Sequence, residues 1–166
     1  DYHSETATHF QYLYKLIEIL QKEMDIFLII ERGTRPAFLK NGKTYVQKFN
    51  FLPLRAAENF LVLAWLGING HKDFYIHYSF LSAFNASLIA KLSGGRTFYW
   101  NCGLPWLYKR NFFREKFEHS VYKLVTYLIT GTEGLKNQYV EYYRLPFSKI
   151  KILPNWIDVG RFFKKS

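Results

Sequence analysis

The spacing of apolar positions switches repeatedly between a helical period and a strand period along the chain. Phe10, Leu13, Leu16, Ile17 and Leu20 recur at helical spacing and predict an amphipathic helix over about residues 6–22, with Ser4 or Thr6 as N-cap. A continuous apolar run follows at Ile26-Phe27-Leu28-Ile29-Ile30, as expected of a parallel strand covered on both faces. Residues 33–43 hold Pro36, Gly42 and several charges and read as a loop, and Tyr45 to Phe49 reads as a short strand. Pro53 suits the first turn of a helix running to Trp65 or Leu66, closed by Gly67 and Gly70. A strand at 73–77, a helix at 79–93 stopped by Gly94-Gly95, and a strand at 96–100 come next. Tyr127-Leu128-Ile129, a turn at 130–133, a helix to about Tyr143 and the strand Ile150-Lys151-Ile152-Leu153 complete the series, with Pro154 ending the last strand. Strands and helices alternating at these lengths predict an α/β fold, a Rossmann-like doubly wound parallel sheet. Its ligand edge is the carboxyl end of the strands.

The segment between residues 105 and 124 is different in composition. Leu107, Phe113, Phe117, Val121 and Leu124 can share the core face of one helix, which leaves Trp106, Tyr108 and Phe112 beside Lys109, Arg110 and Lys116 on other faces. Basic side chains next to exposed aromatics suit a lipid headgroup interface, and these six residues are the candidate membrane surface. An ordinary solvated helix with buried aromatics is the competing expectation.

Length, charge and cysteine content narrow the classes further. A chain of 166 residues makes one core and buries about two thirds of its unfolded surface. With 49% hydrophobic and 20% aromatic residues, disorder is excluded. The net charge of +10 predicts anionic partners: phospholipid, nucleotide or nucleic acid. Cys102 is the single cysteine, so an intrachain disulfide and a cysteine zinc cluster are excluded and a reducing compartment fits. The five histidines show no metal spacing, and no metal or other cofactor is expected. The longest apolar run, 60–68, falls well short of the roughly 20 residues that cross a bilayer. Two formal motifs carry little: the sequon Asn85-Ala86-Ser87 lies inside a predicted helix, and Gly131-Thr132-Glu133-Gly134 has the form of a KH loop but sets Glu133 against a nucleic-acid backbone.

The stretch Lys149-Ile150-Lys151-Ile152-Leu153-Pro154-Asn155-Trp156-Ile157-Asp158, closed by Phe162 and preceded by a Thr132-Glu133 helix start, resembles the end of the N-terminal domain of GT-B glycosyltransferases of family 4. Trp156 stands where that family usually has glycine. The segment from Asp73 to Gly103 is similar to the same family, with His77, Ser79, Gly94 and Gly103 in comparable places. Near the amino terminus Ser4-Glu5-Thr6-Ala7-Thr8-His9 occupies the family's glycine-rich loop, His9 matching its histidine; the glycine pair is absent and Glu5 would repel a phosphate.

The resemblance implies one half of a GT-B fold, with residues 1–154 as the N-terminal domain and 155–166 as the start of the crossing to a donor-binding domain. It also implies a further strand upstream of Asp1, so the chain reads as a fragment, inactive alone. The implied reaction moves a sugar, with retention and without metal, from a nucleotide sugar to a lipid-linked or other glycan acceptor. The implied setting is the cytoplasmic face of an anionic membrane, with no nucleic acid. Cleft residues carried over are Ser4, Glu5, Thr6, His9, His77, Ser79, Gly103, Thr132, Glu133, Asn155 and Asp158. Asn101 and Cys102 are the candidate catalytic residues because they hold the place of a family histidine beside the reacting sugar. That histidine is missing, so its role does not transfer to Cys102, and no pattern supplies a base for a thiol nucleophile. Asn101 and His77 remain as groups that would orient an acceptor hydroxyl, or serve only as a satisfied amide and a half-buried imidazole. The alternative class is a non-catalytic basic module that binds a membrane surface or nucleic acid. A different nucleotide-binding enzyme would need a G-x-G-x-x-G, which is absent.

Overall fold

A computed structural model describes residues 11–35 and 43–154. The chain divides into two compact units, Asp1–Phe51 with Asn155–Ser166, and Leu52–Pro154. Within the first, helix α1 (Gln11–Leu20) precedes strands β1 (Leu28–Ile30) and β2 (Thr44–Val46), which pair in parallel with Leu28 opposite Thr44. The run at 26–30 therefore forms a strand, but among the described residues its partner is β2 alone. Periodicity marks a strand and does not encode which distant strand it pairs with.

The second unit opens with helix α2 (Leu52–Ile68) and then alternates β3 (Phe74–His77), α3 (Phe80–Ser93), β4 (Thr97–Trp100), α4 (Phe112–Leu124), β5 (Tyr127–Thr130), α5 (Glu133–Tyr143) and β6 (Ile150–Ile152). All four strands are parallel in the order β3-β4-β5-β6, so the described sheet grows in one direction without a reversal. It is a Rossmann-like α/β arrangement, and each strand is joined to the next by a helix.

Local chemistry explains the boundaries. Ser79 caps α3 by accepting the Ser82 amide, and Gly94 ends that helix in the left-handed region at φ 70°. Asn111 caps α4 and Thr132 caps α5 in the same way. At the strand starts, Thr97 and Thr126 exchange hydrogen bonds, each hydroxyl accepting the other's amide at 2.8–3.0 Å. Asp73 binds the Arg96 guanidinium and amide, and this pairing holds its carboxyl below the usual value. Buried Asn85 donates to Ala56 O and Asn59 Oδ1, both at 3.1 Å, so the sequon asparagine is a tie between α2 and α3.

The core of the sheet is unusually phenolic. Tyr99, Tyr122, Tyr139 and Tyr143 are buried against one another with ring centroids 4.3–5.8 Å apart. Burial pushes the phenols of all four up, because a phenolate has no water there. A raised folded value means that the unfolded chain ionises first, so these residues support the fold below the ordinary phenol value of about 10 and lose that support as pH rises past it. Alkaline titration should therefore show the exposed tyrosines such as Tyr108 ionising first and the core phenols only together with loss of helical circular dichroism; all the tyrosines ionising while the helices persist would contradict this packing.

Helix α4 corrects the reading of 105–124. Leu107 lies in a short 3-10 turn (Pro105–Leu107) and is 69% exposed, and Phe113 is 81% exposed; the buried face of α4 is Glu118, Val121 and Tyr122. Two facts defeat the apolar count. Helix α4 starts only after the Asn111 cap, so Leu107 is not on it. Glu118 is buried because Arg110 pairs with it and Tyr143 donates to it.

Candidate functional site

The carboxyl ends of β3, β4, β5 and β6 meet through three backbone bonds that carry the sheet one residue further. Tyr78 N–H donates to Trp100 O, Asn101 N–H to Ile129 O, and Leu153 N–H to Thr130 O, at 2.9–3.1 Å. This extension gathers His77-Tyr78-Ser79, Asn101-Cys102-Gly103 and Thr130-Gly131-Thr132 along one edge.

After β3 the chain turns sharply. Ser79 N–H donates to His77 O at 2.9 Å, and Tyr78 between them has φ 60°. This is a γ-turn centred on a left-handed aromatic residue, a rare and strained form. Strained backbone persists where surrounding structure over-determines it, and such positions cluster at functional sites. Here the turn fixes the half-buried imidazole of His77 between Tyr78 and Trp100, with ring centroids at 4.5 and 4.6 Å in edge geometry.

Cys102 sits half-buried beyond β4. Its Sγ accepts the Trp100 indole N–H at 2.7 Å, and the Gly131 backbone passes so closely that a Cβ there would lie 3.4 Å from the sulfur. The Gly131 amide, the Thr130 hydroxyl and the Tyr78 hydroxyl all favour a thiolate, but burial outweighs them and pushes the thiol up. The same burial, reinforced by the thiolate, raises Tyr78. Cys102 is thus a neutral thiol at physiological pH, and a weak nucleophile.

Asn101 turns inward. Its amide donates to Tyr122 Oη at 2.9 Å and to Tyr99 Oη at 3.4 Å, and its Oδ1 accepts the Gly103 amide at 2.9 Å. Tyr139 Oη donates to Gly103 O at 2.9 Å, so both polar atoms of that glycine are held. Ser79 and Thr132 act as helix caps, with Glu133 exposed in the first turn of α5. Ser4, Glu5, Thr6, His9, Asn155 and Asp158 lie outside the described residues. The structure therefore brings together His77, Ser79, Cys102, Gly103, Thr132 and Glu133 along the strand ends. Sequence reasoning missed Tyr78, Trp100 and Thr130. Nothing in the pattern announces the positive φ of Tyr78, whereas Trp100 was visible as the last residue of a strand and Thr130 as the first of the turn that follows one.

Of the six residues expected at a membrane surface, Tyr108, Lys109, Phe112 and Lys116 are exposed. Trp106 packs on Tyr139 and Tyr142 at 5.1 and 5.6 Å. The side chain of Arg110 is 13% exposed and pairs with Glu118. Both are half-buried supports of the 104–111 segment, because the phenolic core and the buried carboxylate draw them in.

Chemically, the edge offers hydroxyls, helix-start amides, one imidazole and a neutral thiol. Such groups can donate hydrogen bonds to a hydroxyl-bearing or anionic molecule. Among the described residues no group of three or more His, Cys, Asp and Glu is placed to hold a metal ion. No helix there is long and apolar enough to cross a membrane. No protein-family model matches the chain, and no curated protein matches its sequence.

Proposed function

We propose that the chain is the acceptor-side domain of a GT-B glycosyltransferase that moves a sugar, with retention, from a nucleotide sugar to a lipid-linked glycan acceptor. What supports this reading is the strand-end edge on which His77, Ser79, Thr132 and Glu133 converge, at the places where the resemblance to family 4 sets its cleft. His77, steadied by Trp100 and the strained Tyr78 turn, orients the acceptor hydroxyl; the helix start at Thr132 and Glu133 borders the cleft. Asn101 positions the Gly103 turn from beneath and does not touch substrate. Cys102 contributes shape and no covalent step. The donor nucleotide is held chiefly by a second domain beyond this chain, and no metal takes part. This reading puts the protein on the cytoplasmic face of the membrane.

Transfer of labelled sugar from a panel of nucleotide sugars into membrane lipid extract by the full-length polypeptide tests the reading. Label enters the lipid phase with the wild type and with Cys102→Ala, and falls about a hundredfold with His77→Ala, the scale of a lost positioning contact. A folded two-domain protein that neither transfers nor hydrolyses any donor would instead make this a basic module without catalysis.

A further inference from the structure

Helices α2, α3 and α4 pack side by side, α3 in the middle. Gly67 of α2 admits α3 closely, since a Cβ there would lie 2.8 Å from Ile89 Cγ2, and Phe84 of α3 meets Phe117 of α4 at 5.4 Å. The exposed side of this layer is apolar. Leu61 and Ile68 of α2 are 67% and 86% exposed, Leu92 of α3 is 83% exposed, and Phe113 of α4 is 81% exposed, with half-exposed Trp65 between the two α2 residues. On a helix of 3.6 residues per turn Leu61, Trp65 and Ile68 share one face. The same three helices carry the exposed cations Lys91, Arg114, Lys116 and Lys123, while Glu115 is the one exposed acid among their described residues; Glu58 and Glu118 are buried.

We infer that this α2–α3–α4 face lies in the headgroup region of an anionic bilayer, its apolar side chains entering the acyl boundary and its lysines meeting lipid phosphates. An apolar centre edged by cations is the composition of an interfacial surface. Charge decides the occupant. A second copy of the chain docking through the same face would set lysine against lysine across a two-fold axis, which is repulsive. Anionic headgroups complement the same array. The inference enlarges the contact from the 108–116 segment to three helices, and it stands whether or not the protein transfers sugar.

The test is flotation of the protein with vesicles of phosphatidylcholine alone and of phosphatidylcholine mixed with phosphatidylglycerol, with brominated acyl chains as quencher. The expected result is partitioning into the anionic vesicles, weakened by salt, with tryptophan quenching that disappears in Trp65→Phe. The triple variant Leu61→Asp, Ile68→Asp, Leu92→Asp should lower the partition coefficient about a hundredfold, since each aspartate removes apolar burial and adds repulsion. The charge variant Lys91→Glu, Lys116→Glu, Lys123→Glu keeps the apolar residues and should lose the anionic preference. Flotation of both variants equal to wild type overturns the inference. So does absence of vesicle binding, including the case where sedimentation shows a dimer that the triple variant dissociates.

Discussion

Arg110→Met destabilises the protein by about 3–5 kcal/mol, the loss that follows when one partner of a buried ion pair is removed and the other charge is left behind. The side chain of Glu118 is 4% exposed and sits among Tyr122 and Tyr143, with Arg110 as its counter-charge. Tyr143 Oη donates to one oxygen of that carboxylate, which supplies a single neutral donor where a guanidinium stood. Methionine also gives up the guanidinium's approach to Phe80, 5.7 Å from the ring centroid, although its thioether replaces most of the packing. The double variant Arg110→Met, Glu118→Leu removes both charges and should recover all but about 1 kcal/mol, the residue being the lost acceptor of the Tyr143 hydroxyl. Urea midpoints for the two single variants and the double close a thermodynamic cycle. A coupling near zero would mean that the pair is solvated and that α4 is not anchored through it. Because Arg110 faces inward, Arg110→Met should leave vesicle partitioning unchanged, in contrast to Lys116→Glu.

Most of the Leu52–Pro154 unit was legible because its elements satisfy local rules. Ser79 and Thr132 announce helices by their hydroxyls, and Pro154 and Gly94 announce stops by what their backbones forbid or permit. The strands read at 96–100 and 127–129 form at 97–100 and 127–130, with side chains buried on both faces. What was not legible depends on pairing across distance. Glu118 counts as polar in any periodic pattern, yet Arg110 and Tyr143 make its burial tolerable, and the whole face of α4 turns with it. The sheet membership of 28–30 is of the same kind, since β2 is its partner only through tertiary choice. For the site, the sequence located the strand ends but not their conformation. Asn101 read as a candidate catalytic residue because, with Cys102, it holds the place of a family histidine, whereas two buried phenols claim its amide. The γ-turn at Tyr78 has no sequence signal, because an aromatic residue is among the last expected at positive φ.

The adjacent glycines at 94 and 95 read identically as a helix stop, but they should respond very differently to one added methyl group. Gly94 has φ 70° and open space where a Cβ would go, so Gly94→Ala meets only the left-handed backbone penalty of roughly 1–2 kcal/mol, and Gly94→Asn less. Gly95 has no such conformation; its Cβ would stand 1.8 Å from Lys72 O and 2.5 Å from Lys72 C. Those are backbone atoms immediately before β3, and three bonds hold the two segments in that approach. Gly95 N–H donates to Ala90 O at 2.8 Å, Phe74 N–H to Arg96 O at 2.9 Å, and Arg96 N–H to Asp73 Oδ1 at 2.9 Å. Relief therefore requires β3 to move away from β4 or the turn to leave α3, and either breaks ladder bonds as well as packing. Gly95→Ala should cost about 3 kcal/mol or more, the upper range for forced overpacking. Because β3 carries His77 at its other end, a displaced strand loosens the His77–Trp100 contact, and the emission of buried Trp100 should shift in Gly95→Ala but not in Gly94→Ala. Equal melting temperatures for the two variants would show that the Lys72 carbonyl does not close over the turn, and with it that the register of β3 on β4 is not fixed there.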